Sequence, residues 1–120
     1  MQSAAMLNNG TVKGVNNLKA YYADFVRHCL RYYVKTLDDG HGGQPLFRSD
    51  ADRENWSACF HALKDYPQND MDIISEIYRP GDTISDKIYN LSLTMQVPQD
   101  TIWNLINRTE RKVAKKRGLL

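Results

Sequence analysis

Nowhere in its 120 residues does the sequence approach the roughly 18 consecutive apolar residues that a membrane-spanning helix needs. The N-terminus also lacks the basic-then-apolar layout of a secretory signal. A cytoplasmic protein with no membrane partner is therefore expected. Cysteine is scarce: Cys29 and Cys59 are too few for a disulfide framework. Each lies inside an apolar helical pattern, where a reduced thiol packs as a small hydrophobe. Strand-like alternation, hairpin dipeptides and internal repeats are missing as well, which leaves an all-α fold. With 42% apolar and 25% charged residues, the composition is that of an ordinary globular chain.

Five helical segments account for most of what remains. Residues 1–17 are small and polar, with Gly10 and Gly14 and no sustained period, and read as a flexible leader. From Leu18, apolar residues recur at spacings of three and four through Tyr22, Phe25, Cys29, Tyr32 or Tyr33, and Leu37, which predicts a helix over 18–36. The run Asp38-Asp39-Gly40-His41-Gly42-Gly43-Gln44-Pro45 stops it. Ser49 or Asp50 caps a second helix presenting Trp56, Cys59 or Phe60, and Leu63, and Tyr66-Pro67 closes it. The third follows from Pro67, with Met71, Ile74 and Ile77 or Tyr78 inward, and ends at Pro80-Gly81. Asp82 or Thr83 caps the fourth, whose stripe of Ile84, Ile88, Leu91 and Met95 is expected to face the core. After a turn at Gln96-Val97, Pro98 opens the fifth. The expected organisation is a leader over 1–17, a helix with a Gly-rich loop over 18–48, and a small helical domain over 49–120 that ends in a helix-turn-helix.

Charge is distributed unevenly along this chain. Residues 104–120 hold Arg108, Arg111, Lys112, Lys115, Lys116 and Arg117 against Glu110 alone, a net +5; the whole chain carries +2, so the remainder carries −3. Such asymmetry directs a polyanion to the C-terminal end. The plainer alternative is a solvated helix end whose cations favour the negative pole of the helix dipole. On a wheel of about 100° per residue, Ile102, Leu105, Ile106, Thr109 and Val113 share one sector, and Asp100, Asn104, Asn107, Arg108, Arg111 and Lys115 lie opposite. In a recognition helix the first turns enter the major groove, so Gln99, Asp100 and Asn104 are candidates for base edges and Arg108 for a base or a phosphate. Arg111, Lys112, Lys115 and Lys116 are candidates for the phosphate backbone, where they give affinity without sequence information.

Residues 83–116 resemble region four of sigma-70 factors and the sigma-like regulators carried by phages and mobile elements of Gram-positive bacteria. The resemblance rests on Ile84-Ser85-Asp86-Lys87-Ile88 as a first helix, Met95-Gln96-Val97-Pro98 as a turn, and Thr101-Ile102-Trp103-Asn104-Leu105-Ile106-Asn107-Arg108 leading into a basic end. Upstream, Leu63-Lys64-Asp65-Tyr66-Pro67 followed by Asp72-Ile73-Ile74 is similar to the entry of that domain, so the likeness covers residues 60–117, about half the chain. Gln96 stands where the family has glycine, Leu91 or Ser92 where it has a small residue, and Trp103 where many relatives are polar. The resemblance implies a sequence-specific regulator of transcription that binds duplex DNA, with RNA polymerase as a further partner, and not a complete sigma factor.

Other constellations point elsewhere. His28 with Cys29, and Cys59 with His61, supply nitrogen and sulfur, but ligands one or two residues apart on a helix diverge by about 100° or 200°. Neither a metal nor any other cofactor is expected. No nucleophile has an orienting partner, so the chain reads as a non-enzyme. The alternative to DNA binding is a protein-interaction adaptor for RNA polymerase or another regulator, suggested by Trp103, the acidic remainder and Tyr21, Tyr22, Tyr32 and Tyr33 of the first helix. Those tyrosines pack within the molecule or form a homodimer contact.

Overall fold

Local signals set where each helix begins and ends. The computed structural model describes residues 18–40 and 44–120. The leader over 1–17 and the loop residues His41, Gly42 and Gly43 lie outside the described residues. Within them are five helices and no strand, as the all-α reading expects: α1 Ala20–Asp38, α2 Asp50–Leu63, α3 Gln68–Tyr78, α4 Ile84–Met95 and α5 Gln99–Lys116. Ser49 caps α2 by accepting the Asp52 amide, and Thr83 caps α4 by accepting that of Asp86. Beyond α3, Arg79 turns extended before Pro80, where proline disfavours further helical backbone. Gly118, at φ +82°, ends α5 in the left-handed conformation that glycine adopts at little cost.

The core draws on every helix. Val26, Leu30 and Val34 of α1 meet Cys59 and Leu63 of α2, Ile74 and Tyr78 of α3, Ile88 of α4, and Ile102, Ile106 and Val113 of α5 in one buried cluster. α5 packs against each of the other four helices. Where periodicity left a choice on α2, Cys59 is buried and Phe60 is outside; on α3, Ile77 and Tyr78 are both inside. Both thiols are fully buried, and burial pushes Cys29 up to about 11 and Cys59 well above its ordinary value. Of the stripe expected to carry α4 into the core, only Ile88 is fully buried. Ile84 and Leu91 are half-buried, and Met95, in the last turn, is exposed.

Two junctions fix the corner formed by α3, α4 and α5. Lys87 of α4 is buried, and its ammonium donates to the Glu76 carbonyl at 3.0 Å and to the Arg79 carbonyl. A cation thus satisfies carbonyls that the end of α3 would leave without partners. At the end of α4, Gln96 takes φ +57°, ψ +43°, and the Val97 amide reaches back to the Ser92 carbonyl at 3.2 Å. The chain reverses here through a left-handed residue, a conformation in which glycine is the usual occupant.

Candidate nucleic-acid interface

α5 has two sharply different faces. Its inward sector buries Ile102, Leu105, Ile106, Thr109, Glu110, Val113 and Ala114. On the outward sector Asp100, Asn104, Arg108, Arg111 and Lys115 are exposed. At about 100° per residue these five fall within some 80° of one another, so they form a single stripe along the helix. Arg108, Arg111, Lys112 and Lys115 converge on one shallow cleft of about 530 Å³. The acidic member of the stripe, Asp100, sits in the first turn, where a carboxylate suits the positive end of the helix dipole.

Four of the nine expected contact residues lie off this stripe. Gln99 is half-buried at the start of the helix. Asn107 is half-buried too, and its Oδ1 is enclosed without a hydrogen-bond partner. Lys112, although exposed, leans over the Tyr66 ring at 4.7 Å, a cation–π contact that holds the ammonium on the flank of the helix. Lys116 turns away from the stripe and lines a different cleft, formed with α2. Trp103 is half-buried against the hydrophobic cluster.

Glu110 changes the electrostatics of the segment. It is the one acid among residues 104–120 and is fully buried on the inward face. Arg27 of α1 donates to both of its carboxylate oxygens, at 2.9 and 3.3 Å, and the Tyr78 hydroxyl donates to Oε2 at 2.6 Å. The negative charge is therefore neutralised from behind, and the one acid of the outward stripe, Asp100, lies in the first turn, ahead of Arg108, Arg111 and Lys115. Burial, with the nearby Glu110 carboxylate, raises the Tyr78 hydroxyl well above its ordinary value, so it stays protonated and donates. The inward position was legible: Glu110 stands four residues after Ile106 and three before Val113, inside the apolar sector. Its partners Arg27 and Tyr78 lie 83 and 32 residues away, and nothing local marks them.

Arg117, the sixth cation of the basic segment, also serves the fold. Its Nε donates to Asn55 Oδ1 at 2.7 Å, Nη1 pairs with Glu54 at 3.3 Å, and the guanidinium lies 5.6 Å from the centre of the Phe25 ring. A further tie joins the Tyr66 hydroxyl to that of Thr109 at 2.7 Å. These contacts hold α5 from behind at both ends of its basic half. The outward surface of α4 was not anticipated: Tyr89 and Leu93, one turn apart, are 53% and 62% exposed. No protein-family model matches the chain, and no similar curated protein or solved structure was found.

Proposed function

We propose that the chain is a sequence-specific, DNA-binding regulator of transcription, with α4, the three residues 96–98 and α5 acting as a helix-turn-helix of the sigma region-four kind. One observation carries this reading: the stripe of Asp100, Asn104, Arg108, Arg111 and Lys115 is exposed, while Glu110, the one acid among residues 104–120, is buried and paired behind it. Amide and guanidinium groups of that kind pair with base edges, and the cations after them suit phosphates. The rigid backing of α5 favours the same use, since a reading helix must keep its register on the duplex.

Titration of labelled genomic-fragment duplexes at two salt concentrations tests the proposal. Binding should weaken steeply with salt, and replacing Asn104, Arg108 and Arg111 by alanine should abolish it. Binding that survives the triple replacement would refute the assignment of the surface. Tyr89 and Leu93 on the outer face of α4 favour a second reading, in which the chain is an adaptor that grips RNA polymerase or another regulator. Absence of any salt-sensitive DNA binding would select it.

A further inference from the structure

Between α2 and the C-terminal end of α5 lies an open cleft of about 780 Å³, within the size range of small-ligand sites. Aromatic rings build one wall. Trp56 is held by Tyr33 and Phe47, with ring centres 5.4 and 5.8 Å away, and its indole N–H donates to Thr36 at 2.9 Å. Phe60 stacks on this anchored indole, the centres 5.3 Å apart and the planes within 10°. Phe60 remains 40% exposed, and the His61 ring, which also lines the cleft, meets it edge-on with the centres 5.3 Å apart. Arg53, Lys116 and Arg117 also line the cleft, against the single carboxylate of Glu54, which pairs with Arg117. Arg53 pairs with Asp50 at the surface.

An aromatic platform beside cations recognises a planar base with a phosphate attached. The position of Lys116 connects this cleft to the stripe. At about 100° per residue, Lys115, Lys112 and Lys116 step around α5 from the outward face to the cleft in increments of about 40–60°. We infer that the cleft takes one unpaired nucleotide of a DNA strand that runs off the duplex on α5, its base stacked on Phe60 and its phosphate between Lys116 and Arg53. The strand's delivery rests on the proposed DNA binding by α5, while the cleft's own chemistry does not.

Two arms separate these claims, both using the full chain. In the first, blunt duplexes are compared with duplexes carrying three-nucleotide single-stranded extensions. The extension should tighten binding roughly tenfold, the scale of one base stacked on an aromatic ring. Phe60→Leu, which keeps apolar bulk under Trp56, and Arg53→Gln should each remove that gain and leave blunt-duplex affinity unchanged. In the second arm, Trp56 fluorescence is followed in a Trp103→Phe chain as a short oligothymidylate, or thymidine monophosphate, is added. Quenching by the oligonucleotide that is lost in Phe60→Leu is expected even if no duplex binds. Quenching by the monophosphate at equal concentration would identify a free nucleotide as the ligand and overturn delivery by a strand. Equal affinity for blunt and extended duplexes, a gain that persists in Phe60→Leu, or no quenching would overturn the inference.

Discussion

Three side chains set the junctions among α3, α4 and α5. Glu110 is buried with a guanidinium and a phenol bonded to it, so its removal leaves both donors without an acceptor. Arg27 is 25% exposed, and water recovers part of the loss. Glu110→Ala should cost about 2–3 kcal/mol, somewhat less than the breaking of a fully buried pair. A urea titration measures it, and a loss below about 1 kcal/mol would show that the network contributes little. Gln96 gives the opposite expectation. A side chain in the left-handed region costs about 1 kcal/mol relative to glycine, so Gln96→Gly should raise the melting temperature by several degrees. An unchanged or lowered Tm would contradict the strain assigned to the turn. Lys87→Met strips the ammonium from the carbonyls of Glu76 and Arg79. It should lower stability by about 1–2 kcal/mol in the same urea assay.

At the scale of the element, periodicity and stop signals were sufficient for all five helices. Proline, glycine and hydroxyl caps act within a few residues of where they stand, and the three-to-four spacing of apolar residues needs no tertiary information. What the chain hid was tertiary. The fourth helix has an apolar stripe of ordinary spacing, yet Met95 emerges from the core because its turn is the last before the reversal. Arg117 and Lys116 look like further members of a basic run, but the helical period already carries Lys116 off the outward stripe, and bonds to Asn55 and Glu54 of α2 take Arg117 into the fold. The electrostatic prediction therefore belongs to α5 as narrowed by the structure. If Arg108, Arg111 and Lys115 touch phosphates, each alanine replacement should reduce the slope of log affinity against log salt by about 1. Arg117→Ala should leave that slope unchanged and lower stability instead. A slope that falls equally for Arg117→Ala would return it to the interface.

For the whole molecule, the buried ionisable groups set the response to alkali. Cys29, Cys59, Tyr33 and Tyr78 all hold their protons more tightly in the fold than their ordinary values of 9.0 for cysteine and 10.0 for tyrosine. Burial is the leading cause for each. A group with a raised folded pKa contributes stability that is complete below its unfolded value and is lost as pH rises toward the folded one. For Cys29 the window runs from about 9 to about 11. Urea midpoints should accordingly show no decline from these groups below pH 8 and a progressive fall above pH 9. A midpoint constant to pH 11 would mean that the thiols and phenols are not enclosed as described.

The central claim is that the outward stripe of α5 meets duplex DNA while its inward face holds the fold. Backbone amide NMR of the full chain, recorded while a bound genomic duplex is added, tests it most directly. The account predicts shifts concentrated at Asn104, Arg108, Arg111 and Lys115, with the amides of Val26, Leu30 and Val34 in α1 undisturbed. Shifts confined to Tyr89 and Leu93 of α4, with α5 silent, would contradict it.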